Sequence, residues 1–342
     1  SATVAAGKLY VTNRADGTVT VIGAAPTTTT LAAAANPSIY GQTAIAATVT
    51  SAAGTPTGAV EFFDGSTSLG SVALSGGAAT LASSALGAGT HSVTAAYRPS
   101  GDFAPSTSDA SAQTVNKATG TLGLSVSVLT PQYSDIETFR ATFTPPAAGA
   151  VPSRVTFKVG TQVMGDAPVL FHGGVYDATW TGQLVEPTPT RQMKPDFHVV
   201  TASVPDPNFS IATPSKAITI QKEDARVSYI GPKSASLGGS ATGIVPLSVM
   251  VKDITAVSGD AAWDPNAGDI RNAVVMFIDR STNVVLGSAS VTGSDPSTGV
   301  ATLNWTVNLG TAKSKSYTIG FIVNYYYNRN NFADNATITI SK

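Results

Sequence analysis

The stretch TGAVEFFDGSTSLGSVALSGGAATL, residues 57–81, is a strand centred on Phe62, a polar turn, a second strand, a Gly-rich turn and a third strand. The apolar residues alternate, so each strand buries one face and exposes the other. The same pattern returns in SRVTFKVGTQVMGDAPVLFHGGVYDATW, residues 153–180, centred on Phe157. It returns again in NAVVMFIDRSTNVVLGSASVTGSDPSTGVATLNW, residues 272–305, centred on Phe277. Self-similarity at this spacing marks a repeated structural unit.

The downstream segments repeat as well. HSVTAAYRPSGDFAPSTSDASAQTVNK begins at His91, HVVTASVPDPNFSIATPSKAITIQK at His198 and YTIGFIVNYYYNRNNFADNATITISK at Tyr317. Each is an alternating strand, a polar loop carrying a Phe (Phe103, Phe209, Phe332) and a strand closing on Lys (Lys117, Lys222, Lys342). Short strands separated by turn signals, with no helical period, predict an all-β fold of three tandem immunoglobulin-like sandwiches in an elongated arrangement. The predicted division is an N-terminal hairpin at 1–23 and sandwiches at 24–118, 119–222 and 223–342. The linkers QTVNKATGTL and ITIQKEDARVSYI hold no Pro/Gly/Ser tract, which predicts a semi-rigid rod.

Composition narrows the function. Of 342 residues, 42% are hydrophobic and only 12% charged, so much of the surface is Thr, Ser, Asn and Gly. The net charge of −1 gives no electrostatic reason to bind nucleic acid. The absence of cysteine excludes a disulfide framework and a thiolate metal site or nucleophile. No apolar run approaches the ~20 residues of a spanning helix, so no membrane insertion is expected. With no targeting motif either, the chain reads as a mature form or a fragment. No nucleophile elbow, zinc-protease motif or P-loop is present, and the expectation is a protein without catalytic residues.

GAVEFFDGSTSLGSVAL followed by GTHSVTAAYRPSGDFAPSTS resembles the bacterial Ig-like domains found in tandem in surface proteins. The resemblance is strongest in the first repeat, moderate in the second and weakest in the third, which carries an insertion. It implies a spacer, adhesion or scaffold role outside a prokaryotic cell and brings no catalytic residue. Near the start, LYVTNRADGTVTVI resembles half a blade of the Tyr-Val-Thr-Asn type β-propeller repeat. Leu9, Tyr10, Val11, Val19 and Val21 would line a hairpin around Ala15-Asp16-Gly17. A lone hairpin is marginal in water, so these residues are expected to dock on this chain or on a second copy.

Two places could carry binding. The insertion KDITAVSGDAAWDPNAGDIRNA, residues 252–273, brings together Asp253, Asp260, Asp264, Asn266 and Asp269, hard oxygen ligands of the kind Ca²⁺ selects. The competing reading makes these Asp residues turn and cap formers of a solvated loop. Trp263 in the same loop, and Tyr325 and Tyr327 in NYYYNRNNF, are candidate contacts for a sugar or a partner; alternation places both tyrosines on one face. The function expected is a non-enzymatic extracellular stalk or adhesin segment, with other surface components as partners. One alternative is a filament subunit partnered with itself through the N-terminal strands. The other is a set of accessory domains, carbohydrate-binding or spacer, of a secreted enzyme.

Overall fold

The computed structural model describes residues 2–5, 8–12, 15–32, 35–82, 84–146, 149–187, 190–255 and 266–342. Three β-sandwiches follow one another along the chain. In the first, Thr28–Ala32, Ala44–Thr50 and Ala78–Ala82 form one sheet. The facing sheet runs Ser38–Ile39, Ser111–Asn116, Gly89–Pro99, Gly58–Asp64 and Thr67–Ala73. In the second, Thr121–Val126, Ile136–Thr144, Val175–Gln183 and Leu170–His172 face Gln162–Pro168, Arg154–Val159, Phe197–Ser203 and Ser215–Thr219.

The third sandwich is partly closed. Glu223–Tyr229, Thr242–Asp253 and Thr298–Asn308 form one side, and Ala273–Asp279, Ser314–Tyr325 and Ala336–Ser341 form the other. Tyr327–Asn330 pairs with Ser314–Tyr325 and, in parallel, with Glu223–Asp224, joining the two sides. Among the described residues no helix is long and apolar enough to cross a membrane.

The central phenylalanines hold equivalent places. Phe62, Phe157 and Phe277 are each 0% exposed, and burying such a ring contributes about 1.5–3 kcal/mol. Each pairs across its hairpin with a glycine, Gly70, Gly165 or Gly287, and the register slips immediately after the Phe in all three. The bulge bends the hairpin over the core. At two of these positions the glycine is required, since Gly70 and Gly287 sit at φ +130 and +152.

On its other side the same Phe pairs with Ala95, Ala202 or Phe321. His91, His198 and Tyr317 each stand four residues before that partner, so the equivalence read from the sequence holds in the ladder. His91 and His198 each place Nε2 on the carbonyl four residues earlier, Gly87 at 2.9 Å and Lys194 at 3.1 Å.

Three expectations need correction. The N-terminal segment is a three-stranded sheet, because Ala2–Ala5 pairs antiparallel with Lys8–Thr12, which pairs with Val19–Ile22. Leu9, Tyr10, Val11, Val19 and Val21 all lie on these ladders, and among the described residues no ladder joins this sheet to the first sandwich. The turn is as expected, with Gly17 at φ +72 and the Asp16 carboxylate accepting from Thr18 N at 3.0 Å.

The loop phenylalanines are not equivalent. Phe103 and Phe209 bridge in parallel to Ala25 and Ala118, whereas Phe332 is 71% exposed under the Arg280 guanidinium. The third sandwich makes that parallel pairing through Tyr327 and Asn328 instead, which releases its Phe.

Tyr325 and Tyr327 do not share a face. Tyr325 sits at φ +72 and is exposed; the chain turns there, and Tyr326 and Tyr327 are both buried. A non-glycine residue in that region interrupts the strand alternation on which the shared face depends. Tyr327, at 0% exposure, offers no surface platform.

Candidate functional site at the junctions

The residues with most chemistry gather where the sandwiches meet. The second junction begins with a short linker, as Ser215–Thr219 of the second sandwich is followed closely by Glu223–Tyr229 of the third. The loop at 131–135 lies along it: Gln221 N donates to the Pro131 carbonyl at 2.7 Å, and Tyr133 N donates to the Gln221 carbonyl at 2.9 Å. From the other side, Tyr326 accepts Glu223 N through its carbonyl at 3.0 Å.

These contacts seat Tyr133 against the third sandwich. Its ring packs on Tyr326 at 4.8 Å and edge-on to Tyr327 at 5.9 Å, and its hydroxyl accepts from Asn272 Nδ2 at 2.7 Å. Ser134 is buried at φ +86, a backbone state that costs free energy in any residue but glycine. Its Oγ reaches Glu223 Oε1 at 3.2 Å and the Asn266 carbonyl, so side-chain contacts from the third sandwich hold the strained turn.

Asp253 anchors the third sandwich's side. It is fully buried; Oδ1 accepts Thr255 N at 3.0 Å, and Oδ2 accepts the Tyr327 hydroxyl at 2.9 Å and Gly268 N at 3.1 Å. These donors satisfy both oxygens of the buried carboxyl group. Gly268 must be glycine, because a Cβ there would lie 2.5 Å from Tyr327 Oη and 2.7 Å from Tyr133 Cε1. Burial pushes the Tyr133 phenol up to about 12. Burial, and then the Asp253 charge, push the Tyr327 phenol up. Both remain neutral through the physiological range, Tyr327 donating to Asp253 and Tyr133 accepting from Asn272.

Of the sequence candidates in the insertion, Asp253, Asn266 and Asp269 come to this junction. Asp269 caps the short 3-10 turn Ile270–Asn272 and chelates Arg271 at 2.8 and 2.7 Å. Burial pushes its carboxyl up, but the Arg271 hydrogen bonds outweigh that and hold it below its ordinary value. Asp260, Trp263 and Asp264 lie outside the described residues. Among the described residues no group of three or more His, Cys, Asp or Glu is placed to hold a metal. Sequence reasoning missed Tyr133, whose only signal is a large aromatic among the turn formers of TPQYSD.

The first junction is smaller. Ala118 N donates to the Asn208 carbonyl at 2.9 Å, and Ser210 N donates to the Ala118 carbonyl at 2.8 Å. Phe209 meets Tyr40 at 5.7 Å and Phe143 at 6.5 Å, both edge-on. Asn208 Oδ1 accepts Ala88 N at 2.7 Å. The buried apolar residues of the second and third sandwiches form one continuous cluster, whereas those of the first form their own.

Residues 29–116 match the family model of the bacterial Ig-like domain, group 3. No curated protein matches the chain. Among solved structures it is similar to a tetra-tandem repeat from the extending region of a large adhesion protein. That match has 15% identity, covers 93% of this chain and 74% of that one, and has a TM-score of 0.47. Similarity extends to the Escherichia coli adhesin FdeC, at 16% identity over 94% of this chain and 98% of that one, TM-score 0.30. The Yersinia pseudotuberculosis adhesin InvE matches at 16% identity over 64% and 58%, TM-score 0.34.

Proposed function

We propose that the chain is a non-enzymatic spacer of a bacterial surface or secreted protein, holding what it is joined to at a distance from its anchor. The observation that carries this reading is the continuous apolar cluster through the second junction, which makes two sandwiches into one stiff unit. Stiffness across a domain boundary is what a stalk needs and what flexibly tethered modules lack. The bacterial Ig-like match over the first sandwich supports the extracellular setting. Small-angle scattering of the 342-residue chain tests it. The expected result is an elongated monomer with a radius of gyration well above the ~20 Å of a compact chain of this length. A value near ~20 Å overturns the reading.

A second reading rests on the N-terminal sheet, whose described ladders are all internal. Its outer strands could add to a sheet edge of another copy and link chains into a filament. Polymers that form with rising concentration and disappear on deletion of residues 1–23 are the expected result. Polymerisation unaffected by that deletion removes this reading.

A further inference from the structure

A cleft of about 450 Å³ opens beside the second junction, walled by both the second and third sandwiches. Ligand sites run from roughly 300 to 1,000 Å³ and concentrate at domain interfaces. Gln183, Gln192, Asp269, Asn272 and Ser297 line it. Several of their donors are already committed. Gln183 Nε2 donates to the Ser134 carbonyl at 2.9 Å, Asn272 Nδ2 to Tyr133 Oη at 2.7 Å, and Ser297 Oγ to Asp295 at 2.8 Å.

What these groups keep for a ligand is mixed: the Gln183 and Asn272 amides each retain an oxygen and a second N–H, and the Ser297 hydroxyl retains acceptor capacity, while the Asp269 carboxylate is already held by Arg271. Gln192 adds an amide with both kinds of group. Amides that both donate and accept suit a ligand rich in hydroxyls, which do the same. Among the described residues that line it none is Lys, Arg or His, so an anion finds no counter-charge among them. A cation is disfavoured too, because among the described lining residues Asp269 is the one carboxylate and the Arg271 guanidinium already binds it. Val185, Ala267 and Pro296 supply a small apolar wall suited to the C–H face of a sugar ring.

We propose that this cleft binds a neutral oligosaccharide. The proposal goes beyond the spacer reading, whose failure would appear in scattering and not in ligand titration. Calorimetric titration of the whole chain with cellotetraose, maltotetraose and chitotetraose tests it. At least one should bind saturably with a Kd below about 1 mM. Gln192→Ala, and separately Ala267→Trp to fill the cleft, should each weaken that binding about tenfold or more while leaving the joint melting transition of the second and third sandwiches unchanged. No saturable binding by any of the three sugars overturns the proposal, as does binding that survives Gln192→Ala. Binding of tetra-alanine or of Ca²⁺ alone, with no sugar bound, overturns the assigned ligand class.

Discussion

The two junctions use the same chain geometry for different ends. At both, a strand of one sandwich leads directly into the next, and a loop bridges back in parallel to the linker, Phe209 to Ala118 and Gln132 to Gln221. At the first junction one phenylalanine and one asparagine cross the boundary, and the hydrophobic cores stay separate. At the second a buried tyrosine, a strained serine and an anchored carboxylate interlock, and the cores merge. The difference teaches that linker length alone does not set stiffness. What sets it is whether side chains from both sides are buried together across the boundary.

The largest expected effect comes from Tyr133→Ala. Removing a fully buried ring costs about 4 kcal/mol, and here it should also uncouple the second and third sandwiches. Chemical denaturation should then show the two unfolding separately, where the native chain unfolds them together. Asp253→Ala comes next. It strips the acceptor from Tyr327 Oη, Gly268 N and Thr255 N, for about 3 kcal/mol of destabilisation of the joint unfolding of the second and third sandwiches. Fluorescence of Trp305, which packs edge-on to Tyr317 there, reports it. Phe209→Ala at the first junction should cost less, about 2 kcal/mol, since its ring meets one ring, Tyr40, across an otherwise thin boundary, and Phe143 within its own sandwich. Its signature is wider bending between the first and second sandwiches in scattering, with the unfolding of the second and third unchanged.

The smallest effect is a pH dependence confined to the first sandwich. His91 faces two acceptors, Asp64 Oδ2 at 2.8 Å and the Gly87 carbonyl at 2.9 Å, and only the doubly protonated ring donates to both. Burial pushes its pKa down, but the Asp64 hydrogen bond, the Gly87 carbonyl and the Asp64 charge together set it above the ordinary value. The stabilisation is therefore complete below about pH 6.5 and fades as pH rises through the folded-state value. Ala88 N donates to Asn208 Oδ1, so the first junction should loosen by about 1 kcal/mol or less as pH rises above about 6.5. His91→Gln should abolish the dependence. The second junction should not respond, because Tyr133 titrates only near about 12.

The sandwiches were legible because their signal is periodic. Phe62, Phe157 and Phe277 mark one repeated strand, and the equivalence of His91, His198 and Tyr317 survives into the ladder register. The junction was legible only in part. Asp253, Asn266, Asp269 and Tyr327 drew attention as ligand types, but a sequence does not show that Asp253 and Tyr327 hydrogen-bond each other. Alternation failed at Tyr325 because one positive φ redirects the strand, and no residue type announces that. Tyr133 was hidden for a different reason. It lies in a loop composed like a solvated turn, and its burial comes from a neighbouring sandwich more than a hundred residues away in sequence, through Tyr326 and Tyr327.

Calorimetric melting of the whole chain tests the central claim most directly. Separate cores on one side and a merged core on the other predict two cooperative transitions, one for the first sandwich and a larger one for the second and third together. Three independent transitions, with the third sandwich melting apart from the second, would contradict it.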